Sequence, residues 1–471
     1  MRKTKIVCTI GPAIESEEML IKMMEAGMNV ARLNFSHESQ EVHEKRIQLI
    51  REAAKKANKH IAIMLDTKGP EIRCGKFENG SVTYKRNDIV KLVKEEVLGN
   101  SEKFHVNCKE LFDDIKDGEI LLIDDGNISL KVLEHNKEEI LVKFLNGGTI
   151  KDKKGINAPN IKLSMPFISQ RDYEDLKFGC EHDVDIIALS FVRRKEDVLL
   201  VRDVLKSFNK ADIEVISKIE NQEGIDNLED IIKVSDGIMV ARGDLGVEVP
   251  TEKVPVYQKR MISMTNDAGK AVITATQMLE SMINNPRPTR AEANDVANAI
   301  FDGSDAIMLS GESAIGKYPV KAVEYMNKIA LEVEKEFDYR KGLSNSIKSS
   351  QKTKNDAIGI SVAECCLTLE NVSAIFAFTE TGGTAKRIGK FRPCAPIIAC
   401  SNNLKACRKL AYYYGIYPVY ADYVEDLNKW DEEAQRVAKI MNLPTGSTII
   451  LTSGFGQKHG STNTIRIIEV K

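Results

Sequence analysis

The sequence predicts an α/β chain built on a (β/α)8 barrel, with a small all-β domain inserted into the barrel and a further α/β domain after it. Three observations lead to this fold class. Short apolar runs rich in β-branched residues recur eight times, and helical patterns lie between them. Their spacing is interrupted once, between the third and fourth runs. A polar stretch then separates the eighth run from a second α/β alternation.

Eight predicted strands make up the barrel, because each apolar run has the length of a buried parallel strand. In chain order they cover residues 5–10, 29–33, 61–65, 185–189, 214–217, 237–240, 271–274 and 306–309. Helices are predicted at 16–26, 39–57, 194–207, 251–268 and 319–337, and Ser16 and Thr289 are of the type that caps a helix start. Eight such units in sequence predict a TIM barrel over residues 1–69 and 166–338.

The interruption contains the inserted domain. Residues 65 to 185 are too many for one crossover, and 70–165 show short alternating strands at 81–84, 88–93, 120–123, 128–133 and 139–144. Turn signals such as Asp125-Gly126 and Asn146-Gly147 separate them. We therefore predict a β-barrel lid domain, whose removal leaves about 240 residues, the usual size of a (β/α)8 barrel.

The C-terminal part begins after residues 339–355, which are polar, rich in Ser and Lys, and predicted to be a linker. Residues 356–471 resume the alternation, with a helix near 357–369 and strands near 374–379, 396–400, 417–419, 448–451 and 465–470. No helix is predicted between the last two strands, so one edge of this sheet should be antiparallel.

Composition excludes several classes of protein. The 471 residues are 42% hydrophobic and 29% charged, as in soluble globular proteins. The net charge of −2 argues against nucleic-acid binding, and no apolar run is long enough to span a membrane. Nine cysteines without a Cys-x-x-Cys pair indicate reduced thiols, and no signal peptide is recognised, so we expect a cytoplasmic protein.

Polar side chains follow seven of the eight barrel strands, at the rim where such barrels have their active sites. They are Arg32, Asn34 and Ser36; Asp66, Thr67 and Lys68; Ser190, Arg193 and Arg194; Lys218 and Glu220; Arg242 and Asp244; Thr274 and Thr276; and Ser310 and Glu312. Any single one could be a solvated strand end. Together they supply carboxylates, cations and hydroxyls, which favours one shared active site.

The residue types narrow the chemistry. Glu220 and Asp244 are hard oxygen ligands suited to Mg²⁺ or Mn²⁺. Arg32, Arg73 and Lys218 can neutralise phosphoryl oxygens. Positioning and charge neutralisation are what phosphoryl transfer needs, so this chemistry is predicted. Arg242 is assigned only a structural ion pair.

Two glycine-containing loops lie in the C-terminal part. Thr379-Glu-Thr-Gly-Gly-Thr384 follows a predicted strand and opens a helix predicted to begin at Ala385, and it suits either an anion site or a plain helix cap. Gly454-Phe-Gly456 is similar to a dinucleotide loop, but a strand rather than a helix follows it, and it receives no role.

Seven segments resemble the pyruvate kinase family. They are Ala31-Arg-Leu-Asn-Phe-Ser-His37, Leu65-Asp-Thr-Lys-Gly-Pro-Glu-Ile-Arg73, Ile216-Ser-Lys-Ile-Glu-Asn221, Val240-Ala-Arg-Gly-Asp-Leu-Gly246, Ala275-Thr-Gln-Met-Leu-Glu-Ser-Met282, Asn285-Pro-Arg-Pro-Thr-Arg-Ala-Glu292 and Met308-Leu-Ser-Gly-Glu-Ser313. The resemblance runs from near residue 4 to 470, and is to the compact form without an additional C-terminal domain. It implies phosphoryl transfer from phosphoenolpyruvate to ADP, giving ATP and pyruvate in glycolysis.

The resemblance also implies residue roles. Lys218 and Arg32 would be catalytic, with Thr276 and Ser310 in a proton relay. The substrate would contact Arg32, Lys218, Gly243, Asp244 and Thr276. Mg²⁺ would bind Glu220 and Asp244, and K⁺ would bind Asn34, Ser36, Asp66 and Thr67, with Glu71 typical of K⁺-dependent members. The nucleotide would contact Arg73, Arg194, Asn34 and His37.

Regulation and assembly follow from the same resemblance. Thr379, Thr381, Gly382, Gly383 and Thr384 match the family's sugar-phosphate effector site, although Glu380 argues against a bisphosphate. Fructose 1,6-bisphosphate, a sugar monophosphate and AMP stay open as effectors, and a homotetramer is implied. Arg194 and Ile315 stand where members of the family have lysines. Two other functions stay open: a metal-dependent 2-keto-acid lyase or aldolase, and a catalytically inactive effector-binding protein.

Overall fold

The computed structural model describes residues 1–421, 427–454 and 462–471, so Phe455 and Gly456 of the second C-terminal loop lie outside the described residues. The chain begins with three strand–helix steps: β1 (Lys5–Thr9), α1 (Glu17–Ala26), β2 (Val30–Asn34), α2 (Gln40–Lys56) and β3 (Ala62–Asp66), with a 3-10 helix at Pro12–Ile14. Ser16 caps α1 as expected, because its side chain accepts a hydrogen bond from the Met19 N–H.

The inserted segment follows β3. Its elements are β4 (Ile72–Arg73), β5 (Ser81–Tyr84), β6 (Ile89–Val93), β7 (Lys103–His105), α3 (Leu111–Asp114), β8 (Ile120–Ile123), β9 (Ile128–His135), β10 (Glu139–Phe144), β11 (Gly148–Lys151) and β12 (Gly155–Asn157). Seven strands form a sheet in the order β4-β12-β8-β9-β10-β6-β7, and β5 pairs with β11.

The β-barrel character predicted for the lid depends on how the two edges of its sheet meet. The edge strands β4 and β7 are short, with two and three residues. Directly after them, an antiparallel bridge joins Cys74 to Val106, and the Gly75 and Asn107 N–H groups donate to the His105 and Arg73 carbonyls at 2.8 and 3.1 Å. The sheet therefore curls until its edges meet, and it encloses a core of its own, which includes Phe104, Leu130 and Phe144.

The chain then completes the barrel. The elements are α4 (Gln170–Glu181), β13 (Ile186–Leu189), α5 (Lys195–Ser207), β14 (Glu214–Ile219), α6 (Gln222–Asp226), α7 (Leu228–Val234), β15 (Gly237–Ala241), α8 (Arg242–Glu248), α9 (Val254–Asp267), β16 (Ala271–Ala275), α10 (Arg290–Phe301), β17 (Ala306–Leu309), α11 (Gly311–Ala314) and α12 (Pro319–Lys335), with 3-10 helices at Thr251–Lys253 and Glu280–Ile283. Eight parallel strands close in the order β1-β17-β16-β15-β14-β13-β3-β2, so the predicted (β/α)8 barrel is confirmed.

Side-chain alternation along the strands decides which residues reach the barrel interior. Val30, Met64, Ala188 and Ile216 belong to the cluster inside the barrel, whereas residues of opposite parity such as Leu33 pack with the helices. Two positions further along, the same parity leads to Arg32, Asp66, Ser190 and Lys218. The polar rim is thus the continuation of the inward-facing rows.

One boundary differs from the prediction in a way that matters for the site. The predicted fifth strand ends at Ser217, whereas β14 continues to Ile219 and pairs with β15 at Lys218 and Ile219. Lys218 is therefore held by the backbone ladder of the barrel. The charge of Lys218 favoured a loop in the sequence analysis. A lysine can nevertheless belong to a buried strand when carboxylates neutralise its ammonium group, as Asp66 and Glu220 do here.

The predicted linker is partly helical. Residues Tyr339–Lys348 form α13, which begins where the Asp338 side chain accepts a hydrogen bond from the Lys341 N–H. Leu343 is 4% exposed and packs with Ala363 and Phe391 of the C-terminal part. Leu343 is the one buried residue of this helix, and the high Ser and Lys content led to the prediction of an irregular segment. The residue numbers of the domain boundaries stay predictions.

The C-terminal part is an α/β unit with five strands. Its elements are α14 (Lys354–Thr368), β18 (Val372–Phe378), α15 (Gly383–Gly389), β19 (Ile397–Ser401), α16 (Leu404–Leu410), β20 (Ile416–Tyr420), α17 (Leu427–Ile440), β21 (Thr448–Ser453) and β22 (Thr464–Glu469). The order is β20-β19-β18-β21-β22, and Pro418 is accommodated because β20 is an edge strand. β21 and β22 are antiparallel, which confirms the predicted antiparallel edge.

Buried ion pairs join this unit to the amino end of the barrel. Glu214, the first residue of β14, pairs with Lys386 of α15 and accepts hydrogen bonds from Tyr412 and Tyr413. Arg408 pairs with Asp185, 2.8 Å from Nε to Oδ1. All nine cysteines are free thiols. Over the described ranges, no helix has both the length and the apolar character needed to cross a membrane.

Candidate active site

A buried charged cluster occupies the carboxyl end of the barrel. Arg32 Nε donates to Asp66 Oδ2 at 2.6 Å, and Arg32 Nη1 donates to Thr9 Oγ1 at 2.8 Å. Lys218 Nζ donates to the other oxygen of Asp66 at 3.1 Å and lies 3.1 Å from Glu220 Oε1. Asp66 and Glu220 are fully buried. The predicted catalytic pair, Arg32 and Lys218, thus shares one carboxylate.

Burial and charge set the protonation states in this cluster. For Lys218, burial acts to lower the pKa, but the Asp66 and Glu220 carboxylates outweigh it and the pKa stands above its ordinary value. Burial also acts to raise the pKa of Asp66, but Arg32 and Lys218 hold it below its ordinary value. Burial, together with the nearby Asp244, raises the pKa of Glu220 to about 8 in spite of Lys218. At neutral pH the lysine is therefore charged.

Glu220 has the features expected of a metal ligand. Its Oε2 accepts a hydrogen bond from the Phe191 N–H at 2.6 Å, while Oε1 is buried and accepts no hydrogen bond. Asp244 is half-buried at the start of α8. Among the described residues, no group of three or more His, Cys, Asp or Glu side chains is close enough to hold a metal. Two carboxylates suit Mg²⁺, which keeps several waters and substrate oxygens as ligands.

The loop after β16 has an unusual backbone. Thr276 and Gln277 have φ angles of 69° and 53°, a left-handed conformation that a β-branched residue rarely adopts. Gly243 N–H donates to Thr276 Oγ1 at 2.8 Å, so the two predicted substrate-binding residues are in contact. Arg242 Nη2 donates to the Thr276 carbonyl at 2.7 Å, and Arg242 forms an ion pair with Asp295. The structural ion pair predicted for Arg242 is confirmed.

Ser310 follows β17 and is held by a residue that received no role from the sequence. Its N–H donates to Glu312 Oε2 at 2.8 Å, and Leu279 N–H donates to Glu312 Oε1 at 3.0 Å. Glu312 is 2% exposed and joins the segments that follow the neighbouring strands β16 and β17. The sequence analysis names Glu312 only as one of the polar residues at the barrel rim, because its burial and its partners could not be recognised from sequence.

The predicted K⁺ ligands lie on neighbouring strand ends. Asn34 is the last residue of β2, and its Oδ1 accepts a hydrogen bond from the Ser36 N–H at 3.1 Å. Asp66 and Thr67 follow one another at the end of β3, which pairs with β2. Thr67 Oγ1 accepts from the Ser190 N–H at 3.2 Å. These four residues are therefore grouped on one side of the charged cluster.

A cleft of about 440 Å³ lies between the barrel and the inserted domain. Arg73, from the inserted segment, and Asp244, from the barrel, both line it, and Arg73 Nε donates to Glu71 at 2.7 Å. Arg194 is half-exposed at the start of α5, 3.8 Å from Asp197, and His37 is exposed. Of the predicted nucleotide contacts, only Arg73 lines this cleft.

Comparison with known families and proteins agrees with this architecture. The family model described as pyruvate kinase, barrel domain, matches residues 1–323, and the one described as pyruvate kinase, alpha/beta domain, matches residues 356–468. The chain belongs to the pyruvate kinase family.

Relatives of known name support the assignment along the whole chain. It is 50% identical over 473 residues to the pyruvate kinase of Bacillus licheniformis, covering all of this chain and 81% of the relative. It is 50% identical to the pyruvate kinase of Geobacillus stearothermophilus, with 99% and 80% covered. A crystal structure of a pyruvate kinase from Cryptosporidium parvum matches with a TM-score of 0.95 at 41% identity, covering all of this chain and 96% of that one.

The loop that resembles the family's effector site follows β18. Gly382 N–H donates to Thr379 Oγ1 at 3.0 Å, and Gly382 has a φ of 90°. The helix begins at Gly383 rather than at Ala385 as predicted, which places Thr384 inside it. Thr384 is 7% exposed, and its hydroxyl accepts a hydrogen bond from Thr462. Thr381 is exposed.

Proposed function

We propose that this chain is the phosphotransferase that moves the phosphoryl group of phosphoenolpyruvate to ADP, giving ATP and pyruvate in glycolysis. One observation carries the proposal: a charged lysine, Lys218, is held inside the barrel mouth beside Arg32 and Asp66. A buried cation of this kind stabilises negative charge far better than an exposed one. Family membership agrees with this chemistry.

Lys218 and Arg32 would neutralise the transferring phosphoryl group and the enolate oxygen that it leaves. Because the pKa of Lys218 is raised, its charge persists through the working pH range. The backbone N–H groups of Gly243 and Asp244 and the Thr276 hydroxyl would hold the substrate carboxylate. Thr276 and Ser310 would pass a proton to the enolate through water, so that no histidine is needed.

Cations complete the proposed site. Glu220 and Asp244 would hold Mg²⁺ or Mn²⁺, which supplies charge stabilisation to the phosphoryl and enolate oxygens when bound. The buried Oε1 of Glu220, which accepts no hydrogen bond, fits this role. Asn34, Ser36, Asp66 and Thr67 would hold K⁺, since they offer side-chain oxygens on adjacent strand ends.

The nucleotide would enter the cleft below the inserted domain. Arg73 and Arg194 would contact its phosphates, and Asn34 and His37 would contribute further polar contacts. Asn157 of the inserted domain donates to Glu248 of the barrel at 2.9 Å, and this hydrogen bond joins the two walls of the cleft. Closure over ADP would exclude water from the transfer and so prevent hydrolysis.

The proposed function includes regulation by an effector and assembly into an oligomer. Thr379, Thr381, Gly382, Gly383 and Thr384 would bind a phosphorylated effector, with the hydroxyl and N–H groups at the start of α15 as donors. Thr384 would need to exchange its Thr462 partner. We further propose a homotetramer in the cytoplasm.

The main experiment is an assay of pyruvate formation from phosphoenolpyruvate and ADP in the presence of Mg²⁺ and K⁺. Lys218→Met should lower kcat by at least about a thousandfold. Lys233→Met, which removes an exposed lysine, is the matched control and should leave kcat unchanged. An inactive wild-type protein would contradict the proposal, as would a Lys218→Met variant as active as wild type.

The effector proposal has its own test. Phosphoenolpyruvate saturation is measured with fructose 1,6-bisphosphate, ribose 5-phosphate or AMP present, in wild type and in Thr381→Ala. The effective ligand should lower the substrate concentration for half-maximal rate, and the variant should respond less. If none of the three changes that concentration, the regulatory assignment fails while the catalytic one stands.

A further inference from the structure

Ser190 is a buried serine that touches three residues of the proposed site. It directly follows β13 and is 2% exposed. Its Oγ lies 2.7 Å from Lys218 Nζ, 2.6 Å from the Thr67 carbonyl oxygen and 3.3 Å from Asp66 Oδ1. Lys218 belongs to the phosphoryl site, whereas Asp66 and Thr67 belong to the proposed K⁺ site. Ser190 is in contact with both.

The direction of the Ser190 hydroxyl follows from counting protons. A hydroxyl has one proton to donate, and a lysine ammonium can only donate. Lys218 therefore donates to Ser190 Oγ, and the single serine proton goes to one of two acceptors. The Thr67 carbonyl, at 2.6 Å, is much nearer than Asp66 Oδ1 at 3.3 Å. The hydroxyl is thus oriented by Thr67 and presents a lone pair to Lys218.

The same count applies to the ammonium. Lys218 has three N–H groups, and it donates one to Ser190 Oγ and one to Asp66 Oδ1. In the part of the chain that the structure describes, the third has no hydrogen-bonded acceptor and the nearest carboxylate outside that pair is Glu220, 3.1 Å away. The ammonium is thus held between Ser190 and Asp66 with one N–H left over, next to Glu220, the proposed metal ligand.

We propose that Ser190 is a positioning residue, which aims the Lys218 ammonium at the reacting atoms and couples it to the K⁺ site. The inference rests on the proposed function. A cation bound beside Asp66 and Thr67 would draw on the same carbonyl and carboxylate oxygens that orient Ser190. Occupation of the K⁺ site therefore changes the hydrogen bonds that hold Lys218, and Ser190 is the shared partner.

The local backbone keeps Ser190 in place. Phe191 has a φ of 57°, which aromatic residues seldom adopt, and its N–H donates to Glu220 Oε2. A Cβ built on Gly69 would lie only 2.9 Å from the Ser190 Cβ, so the backbone at Gly69 packs tightly against the Ser190 side chain. Two consecutive residues thus supply a hydroxyl to Lys218 and an N–H to Glu220.

The test is Ser190→Ala, assayed for pyruvate formation over a range of K⁺ and phosphoenolpyruvate concentrations. Losing a hydrogen bond to a buried cation should lower kcat by about tenfold to a hundredfold. The K⁺ concentration for half-maximal activity should rise by about threefold or more, since the coupling is reciprocal. The KM for ADP should stay within about twofold, because Ser190 does not line the cleft.

Ser217→Ala is the matched control. Ser217 is fully buried on the neighbouring strand β14, and its hydroxyl is 2.7 Å from that of Ser235, away from the charged cluster. It should lose a similar amount of stability without any change in the K⁺ response. Ser190→Cys is the second variant, because it keeps the volume of the side chain but is a weak acceptor. It should fold and show the same K⁺ shift as Ser190→Ala.

The outcomes separate this inference from the proposed function. A wild-type protein that forms no pyruvate overturns both. An active wild type whose Ser190→Ala and Ser190→Cys variants keep kcat within about threefold, with an unchanged K⁺ response, overturns the role of Ser190 alone. If Ser217→Ala lowered kcat and shifted the K⁺ response as much as Ser190→Ala does, the role of Ser190 would also be overturned, because the effect would then be purely structural.

Discussion

Acidification should weaken Mg²⁺ binding through Glu220. In the metal-free protein, burial and Asp244 raise the pKa of Glu220 to about 8, so the metal must displace a proton below that pH. For one competing proton, the apparent Kd rises about tenfold for each pH unit below 8. Between pH 9 and pH 6 the affinity should fall by roughly a hundredfold, equivalent to about 2.7 kcal/mol.

Isothermal titration with Mg²⁺ or Mn²⁺ at several pH values measures this directly. At pH 7 about 0.9 proton should be released per metal bound, which the dependence of the heat on buffer ionisation enthalpy reports. The raised pKa of Glu220 also makes the stability of the metal-free protein depend on pH. The folded protein holds this proton more tightly than the unfolded chain, so metal-free stability should fall as pH rises from about 5 to 8.

Glu220→Gln is the control, because an amide does not titrate. It should bind Mg²⁺ more weakly than wild type at pH 9, and its affinity should change little between pH 6 and 9. The reasoning is refuted if the wild-type affinity is flat over this range, or if binding at pH 7 releases no proton.

Four further perturbations test the site and the framework around it. Removing one partner of the buried pair Glu214–Lys386, as Glu214→Gln or Lys386→Met, should destabilise the protein by about 3–5 kcal/mol in urea unfolding, and the double variant by less than the sum. Gly382→Ala should destabilise by more than about 1 kcal/mol, because its φ is 90° and a Cβ there would lie 2.9 Å from a neighbouring leucine. Gly342→Ala, in an open helical position, should stabilise by about 0.5–1 kcal/mol in the same unfolding experiment. Arg242→Lys should lower kcat by about tenfold, because lysine cannot hold both the Thr276 carbonyl and Asp295.

Much of the fold was predictable because its signals are local. The eight strands are short apolar runs, and parallel strands buried on both faces must be apolar throughout. Because side chains alternate between the two faces of a strand, the inward-facing positions continue at the strand ends with Arg32, Asp66 and Lys218. The site residues could be named from sequence for the same reason.

Other features depend on contacts between distant segments. The two edges of the lid's sheet meet at the bridge between Cys74 and Val106, 32 positions apart in the chain, and strand patterns did not reveal this pairing. The helix at Tyr339–Lys348 depends on Leu343 packing against Phe391, 48 positions further along the chain. The partners of Ser190 and Glu312 likewise come from other segments, so the sequence placed both residues at the barrel rim without giving either a role of its own.

The sequence by itself determined the order of the elements, the parity of each strand and the types of side chain at the barrel rim. Those properties follow from near-neighbour preferences and apolar periodicity. Only the tertiary structure decided which charges meet, how far each is buried and therefore which carry a proton. A lysine at position 218 and a glutamate at position 220 are ordinary until the closed barrel removes them from water, since interactions between charges strengthen as the surroundings lose polarity.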